Sequence, residues 1–130
     1  MIKTLKKVLL AVFCLGFLAG IGLFVFGRLF SGMCGNEIYQ EVLSPDGNFN
    51  AVLFQRDCGA TTSFSTQISL ISQDRKLPNE SGNIFIINRH PKDIGIELLW
   101  AGPSELLIKH TDGLEYSKKE TEYQEITISY

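Results

Sequence analysis

An uncharged apolar run near the N-terminus limits the folds open to this chain more than any other part of its sequence. Val8 to Phe26 carries no charge, and its least apolar members are Cys14 and several glycines. At 1.5 Å per helical residue the run would be about 28 Å long, close to the roughly 30 Å hydrocarbon core of a bilayer. Backbone polar groups in lipid must be paired within the segment, so a helix is required. The sequence predicts a transmembrane anchor that contacts lipid through residues 8–26.

Three alternatives to an anchor fit the run less well. A cleaved signal peptide has a shorter apolar region followed by a small-x-small site, and Ser31-Gly32-Met33 is a poor one. A lipoprotein signal places a cysteine after a small residue, whereas Cys34 follows Met33. A helix buried in a soluble core would carry polar residues on one face, and this run has none. We therefore favour an uncleaved anchor and leave its cleavage open.

The flanking charges predict the orientation of the anchor. Lys3, Lys6 and Lys7 precede the run and Arg28 follows it, so the positive-inside rule places the N-terminus in the cytoplasm. We expect a basic stub and anchor over residues 1–30, a stalk over 31–36 and an extracytoplasmic domain over 37–130. The expected location is a bacterial inner or plasma membrane, with the exterior space either a periplasm or a cell-wall zone. Gly16-x-x-x-Gly20 matches a helix-dimer motif, but glycines are common in membrane helices.

The charges of the remaining chain exclude one class of partner. Four of the 12 basic residues lie in the first 30, so the rest carries 14 acidic residues against eight basic ones. A nucleic-acid binder normally has the opposite balance on its folded part, so we expect no nucleic-acid partner. The hydrophobic fraction of 45% excludes a fully disordered chain.

The three cysteines divide into one inert residue and one pair. Cys14 lies within the apolar run, whereas Cys34 and Cys58 both lie in the part predicted to be exported, where disulfides persist. We predict a Cys34–Cys58 disulfide. The alternative, a catalytic thiol at Cys58 with His90 or His110 as base, needs a free sulfur of lowered pKa, and nothing in the sequence supports one. The spacing of the cysteines and histidines does not match a zinc site, so no metal and no cofactor are expected.

The exterior residues alternate between strand and turn patterns. Ser44-Pro45-Asp46-Gly47 is a turn in which proline presets φ, aspartate bonds its own backbone and glycine accepts positive φ. Residues 114–123 fit either a short helix or a loop. Together these patterns predict a mainly β fold, an antiparallel sandwich, meander or small barrel of six or seven strands after the anchor helix. The predicted strands are Ile38–Leu43, Phe49–Gln55, Ser65–Ser72, Asn83–Asn88, Ile94–Trp100, Glu105–His110 and Tyr123–Tyr130.

Two sequence resemblances add to this fold prediction. Residues 44–52, which begin Ser-Pro-Asp-Gly, resemble the hairpin of TolB-type and WD-like propeller blades, and residues 100–108 look like a second blade edge. The exterior part has room for about two blades and a propeller needs at least four, so this resemblance implies a propeller-like hairpin within an independent β-domain. The whole exterior stretch, including Arg56-Asp57-Cys58-Gly59-Ala60-Thr61-Thr62, resembles small uncharacterised bacterial membrane-anchored or lipoprotein-like proteins. That resemblance implies an exported β-rich domain with no assigned activity.

Two polar segments are candidates for ligand binding. The segment around Arg56 and Asp57 offers a bidentate donor and, at Thr61 and Thr62, two hydroxyls, although we favour the simpler explanation of a strand end pinned by the disulfide, with Arg56 and Asp57 solvated or paired. The turn Arg89-His90-Pro91-Lys92 offers positive charge to an anionic partner or lipid headgroup, or is a solvated loop.

No catalytic motif is present in the sequence, so no catalytic residue is assigned. We expect a binding or interaction module of the bacterial envelope with another envelope protein as its partner, its oligomeric state undetermined. The alternatives are a hydrolase-like envelope enzyme using Arg56, Asp57 and His90 or His110, and an immunity or inhibitor protein that blocks an exported toxin or hydrolase with an acidic face.

Overall fold

The computed structural model describes residues 1–31, 33–59 and 62–130, which form two compact units, Met1–Met33 and Cys34–Tyr130. The first unit contains helix α1. The second contains the strands and a short helix α2. The bounds are α1 Ile2–Ser31, β1 Gly35–Leu43, β2 Phe49–Asp57, β3 Ser65–Ser72, β4 Phe85–Ile87, α2 Pro91–Ile94, β5 Glu97–Gly102, β6 Glu105–Lys109, β7 Lys118–Lys119, β8 Glu122–Tyr123 and β9 Ile126–Ser129.

Helix α1 buries none of its apolar run within the chain. The large apolar side chains from Val8 to Phe26 are 46–75% exposed. This exposure rules out the core-helix alternative, because a core helix would be buried against its own protein. Ile2–Leu29 is long and apolar enough to cross a membrane, and its place near the N-terminus suits either an anchor or a signal sequence.

The strands form two sheets, so the predicted mainly β fold is confirmed. Described residues form a five-stranded sheet of order β1-β2-β3-β4-β7 and a four-stranded sheet of order β5-β6-β9-β8. Every pair is antiparallel except β6 and β9, which run parallel. The sheets do not close into a barrel.

The strand count and some bounds differ from the sequence prediction. Nine strands rather than six or seven occur in the described part, because residues 114–123 contribute the two-residue strands β7 and β8 in place of a helix or loop. The predicted strand Tyr123–Tyr130 is interrupted at Gln124, whose φ of 53° turns the chain. Ile94 belongs to α2 rather than to β5, because Pro91 starts a helical turn that ends at the left-handed Gly95.

The predicted turn between β1 and β2 is confirmed with the expected chemistry. Gly47 N donates to Ser44 O over 2.9 Å, and Gly47 has a φ of 76°. Asp46 Oδ1 accepts from the Ser44 hydroxyl over 2.6 Å and from Asn48 N over 3.1 Å. The hydrogen bond from Ser44 is the main reason that the pKa of the Asp46 carboxyl lies below its ordinary value.

The hydrophobic core lies between the two sheets. Alternate residues of the five-stranded sheet, such as Leu53 and Ile68, pack against residues of the four-stranded sheet, such as Leu98 and Ile108, and all are at most 3% exposed. We call this side of the five-stranded sheet the inner face and the opposite side the outer face.

The outer face is covered as well, by the segment that joins β3 to β4. We call residues 73–84 the strap. Gly82 N donates to Gln67 Oε1 over 2.6 Å, and Asn83 N donates to Ser69 Oγ over 3.2 Å. Gln67 and Ser69 pair with Phe54 and Val52 of β2, and both of these are 0% exposed. Strand β2 is therefore buried on both faces.

Candidate binding surface

Cys34 and Cys58 form the predicted disulfide. Cys34 and Cys58 are bonded across a sequence separation of 24 residues. Gly35 and Asp57, the residues next to them, face each other in the β1–β2 pair. The bridge therefore closes the end of this hairpin opposite to its turn, and we call that end of the domain the base. Cys14 is free.

Arg56 holds the base together rather than reaching outward. Its Nη1 donates to Asn36 Oδ1 over 2.7 Å and to Asn79 Oδ1 over 2.9 Å. Asn79 Nδ2 in turn donates to Cys34 O over 2.8 Å, and Asn36 Nδ2 donates to Pro78 O over 3.2 Å. This network fastens the strap to the start of β1. The Arg56 guanidinium thus donates to neutral amide oxygens, and no described carboxylate forms an ion pair with it.

Asp57 and Thr62 both form hydrogen bonds with Gly59, which follows β2. Asp57 Oδ1 accepts from Gly59 N over 2.9 Å, and the Thr62 hydroxyl donates to Gly59 O over 3.1 Å. Gly59 has a φ of 110°, a conformation that favours glycine. Thr61, the other predicted hydroxyl of this segment, lies outside the described residues.

Arg89 and His90 lie at the same base. The Thr66 hydroxyl donates to Arg89 O over 2.7 Å, and the Arg89 side chain is exposed beside a cavity of about 490 Å³ that Glu115 and Tyr116 also line. His90 caps α2, since its Nδ1 accepts from Lys92 N over 3.2 Å. Neighbouring strands thus gather the five described candidate residues at one end of the sheet.

These polar groups do not converge on one another. The hydrogen bonds of Arg56, Asp57 and His90 go to separate partners, and none joins two of them within the described chain. His110 lies within 2.8 Å of Thr111 O through Nδ1 and within 3.1 Å of the Tyr116 hydroxyl through Nε2. A neutral His110 therefore carries its proton on Nδ1 and accepts from Tyr116.

The residues that sequence reasoning missed at the base are apolar. Tyr39 and Phe64 are 38% and 45% exposed, and their rings meet the His90 ring edge-on at centroid distances of 6.1 and 5.7 Å. We call Tyr39, Phe64 and His90 the aromatic patch. Ile38, next along β1, is 49% exposed. A β-bulge between Ile38 and Gln40 shifts the register of the β1–β2 pair at Tyr39. The sequence pattern did not predict this bulge.

A second cluster of rings lies at the C-terminal end of the described chain. Lys119 Nζ lies 4.4 Å from the ring centroids of both Tyr116 and Tyr130, and Phe85 stacks on Tyr130 at 6.1 Å. The Tyr130 hydroxyl donates to Glu120 O over 2.6 Å. Burial, with a smaller contribution from the Glu120 charge, raises the pKa of the Tyr130 phenol above its ordinary value. Lys119 already lies over the rings of Tyr116 and Tyr130, and both tyrosines pack against the core between the sheets. We therefore assign this cluster a structural role.

The described residues contain no group of three or more histidine, cysteine or acidic side chains placed to hold a metal ion. An open cleft of about 370 Å³ lies where the strap meets the β8–β9 turn, with Arg75, Lys76 and Tyr123 among its lining residues. Both cations of this cleft are exposed.

The family comparison covers nearly the whole chain. The family model of DUF5412, described as a family of unknown function, matches residues 3–125. The chain belongs to the DUF5412 family. The match includes the apolar run of α1 and all strands up to β8, so the helix and the β-domain of this DUF5412 protein fall within one family match. Comparison with curated proteins gives no match, and neither does comparison with solved structures.

Proposed function

We propose that this DUF5412 protein is a single-pass membrane-anchored binding module of the bacterial envelope. In this proposal α1 remains in the cell membrane with its N-terminus in the cytoplasm, and the β-domain binds another envelope protein on the opposite side. The apolar, exposed surface of Ile2–Leu29 supports the anchor, and the lysines before it support the orientation. The Cys34–Cys58 bridge supports an oxidising space for the β-domain.

The observation that carries the binding role is the aromatic patch. Aromatic side chains are enriched at protein–protein interfaces because they bury large areas at a small cost in conformational entropy. Tyr39 and Phe64 remain 38% and 45% exposed although the domain buries Phe54 and Phe85 completely. The core is thus full without them, and a partner would remove their apolar surface from water.

Thiol labelling of intact cells tests the location. A Cys14→Ser variant of the full chain leaves only the bridged pair, so a membrane-impermeant maleimide should label it only after an impermeant reductant is added. Labelling before reduction would contradict the bridge. Labelling that requires permeabilised cells would contradict the exterior location.

Affinity capture from solubilised membranes tests the binding role. We expect a Tyr39→Ser/Phe64→Ser variant to lose a protein that the unmodified chain retains. A Leu43→Ser/Leu99→Ser variant changes two other exposed apolar residues and should retain that protein. Equal recovery with both variants, or recovery of no protein by the unmodified chain, would refute a binding role for the aromatic patch.

A further inference from the structure

The free edge of the five-stranded sheet is β1. It pairs only with β2 among the described strands, and none of its nine residues is buried. An edge strand presents unpaired backbone donors and acceptors that can pair with another chain. The opposite outer strand, β7, has only two residues. The long edge available to a partner is therefore β1.

The second half of β1 is packed against the other sheet. Leu98 N of β5 donates to Gln40 Oε1 over 3.4 Å, and Trp100 Nε1 donates to Val42 O over 2.9 Å. No described residue of β5 forms a hydrogen bond with Gly35–Tyr39. The first half of β1 is therefore free of β5, with the strap bonded to it through the Asn36 side chain, and it adjoins the aromatic patch.

Acidic residues flank the apolar part of this edge. Glu37 and Glu41 are exposed on either side of Ile38 and Tyr39, and neither forms an ion pair with a described residue. The bulge at Tyr39 places these two carboxylates on opposite faces of the sheet, since Glu37 pairs with Gln55 and Glu41 pairs with Val52. A second β1 strand would bring two more carboxylates and no basic residue to this edge. The edge therefore disfavours a second copy and favours a strand that carries lysine or arginine.

We propose that β1 accepts an extended segment of another protein, one that carries both basic and apolar residues, as an additional strand. Backbone hydrogen bonds to Gly35–Tyr39 would supply affinity, the two glutamates would select the basic residues, and the aromatic patch would cover the apolar ones. This inference rests on the proposed binding function and names the chemistry of its partner.

The test uses the full chain in nanodiscs of zwitterionic lipid and a fluorescent ten-residue valine peptide with lysine at every third position, so that lysines lie on both faces of an added strand. We expect binding by fluorescence anisotropy, and slower hydrogen exchange at Gly35–Tyr39 when the peptide is bound. A peptide with proline at two central positions should not bind, because proline cannot complete a strand ladder. Equal binding of both peptides, or unchanged exchange of β1, would overturn strand addition.

Charge variants distinguish attraction of the peptide by Glu37 and Glu41 from attraction by the net negative charge of the domain. Glu37→Lys/Glu41→Lys should weaken peptide binding about tenfold, because each reversed pair changes attraction into repulsion. Glu105→Lys/Glu125→Lys changes the net charge equally at exposed positions in β6 and in the β8–β9 turn of the other sheet, and should leave affinity nearly unchanged. Equal losses in both variants would refute site-specific recognition. Binding that appears only when the nanodiscs contain anionic lipid would show that the peptide responds to lipid, and would also overturn the proposal.

A single variant tests the argument against self-pairing. Glu41→Lys replaces one carboxylate on each strand of a β1–β1 pair with an ammonium group, so we expect this variant to self-associate more strongly than Glu125→Lys in sedimentation of detergent-solubilised chain. Self-association of the unmodified chain through β1 crosslinks would instead identify a second copy as the occupant. These measurements do not depend on which side of the membrane the domain occupies, so their failure is distinct from failure of the labelling experiment.

Discussion

Helix α1 and strand β2 are both apolar in sequence, yet they differ completely in exposure. The large side chains of Val8–Phe26 are 46–75% exposed, whereas Ala51–Phe54 are at most 3% exposed. Strand β2 has a sheet against one face and the strap against the other, while α1 has no covering element in its own unit. An apolar pattern predicts that a segment will be removed from water. The length of the apolar run then indicates whether lipid or protein will cover it.

The largest expected effect tests the burial of α1 by lipid. Leu15→Lys/Leu18→Lys places two charges at the middle of the helix, each costing about 3 kcal/mol of insertion free energy. We expect the variant to leave the membrane fraction after carbonate extraction. Leu15→Phe/Leu18→Phe is the matched control and should remain. Retention of the lysine variant would mean that α1 is not held by the hydrocarbon core.

The next effect tests the outer face of β2. Phe54→Ala should lower the free energy of unfolding by about 3–5 kcal/mol, because the side chain is 0% exposed and its removal leaves a cavity. Urea unfolding followed by Trp100 fluorescence measures the change. Leu43→Ala, at a side chain 51% exposed, should cost less than about 1 kcal/mol. Similar losses in the two variants would show that the strap does not exclude water.

A smaller effect tests the close contact of the strap. A Cβ at Gly82 would lie 2.7 Å from Ile68 O and 2.9 Å from Phe85 O, both backbone atoms. Gly82→Ala should therefore force the strap to shift and destabilise the domain by about 1–3 kcal/mol. Gly102→Ala, where a Cβ meets nothing within 4 Å, is the control for the same assay. Unchanged stability of Gly82→Ala would contradict the described position of the strap.

The smallest effect concerns pH and the C-terminal ring cluster. The pKa of Tyr130 is raised above its ordinary value of 10.0 in the folded chain, mainly by burial. Above pH 10 the unfolded chain therefore releases this proton first, and the folded state loses stability as pH rises. Unfolding midpoints measured from pH 9 to 11 should fall more steeply for the unmodified chain than for Tyr130→Phe. Parallel pH profiles would show that the phenol is not shielded from water.

Local chemistry explains which parts of the fold could be predicted from sequence. The Ser44–Gly47 turn and the strands β2 and β3 depend on nearby residues, and their positions follow the pattern. The role of the strap could not be predicted in this way, because the polar pattern of residues 73–82 indicates only a loop. The contacts of Gly82 and Asn83 with β3 show that this loop covers the outer face of the sheet. The two-residue strands β7 and β8 are too short to leave a periodic signal.

The strand register brings the candidate binding residues to one end of the sheet, and their binding role stays a prediction. Sequence reasoning selected Arg56, Asp57, Thr62, Arg89 and His90, and the strand register gathers them at the base. Polarity alone could not tell that Arg56 would bond to Asn36 and Asn79, which lie 20 and 23 residues away along the chain. Exposure of Tyr39 and Phe64 depends on the bulge in β1 and on how completely other residues fill the core, and both are properties of the assembled sheets.

The sulfur bridge also determines how the β-domain would bear a mechanical load. Residues 35–57 lie inside the loop that Cys34 and Cys58 close. Tension applied to the chain at Cys34 passes directly to Cys58, so it bypasses the β1–β2 hairpin and first reaches the polypeptide leading to β3. With the bridge reduced, the same tension would act on Gly35 and peel β1 from β2 one residue pair at a time. The bridge thus lets a tethered domain resist pulling without strengthening any hydrogen bond of its outermost strand.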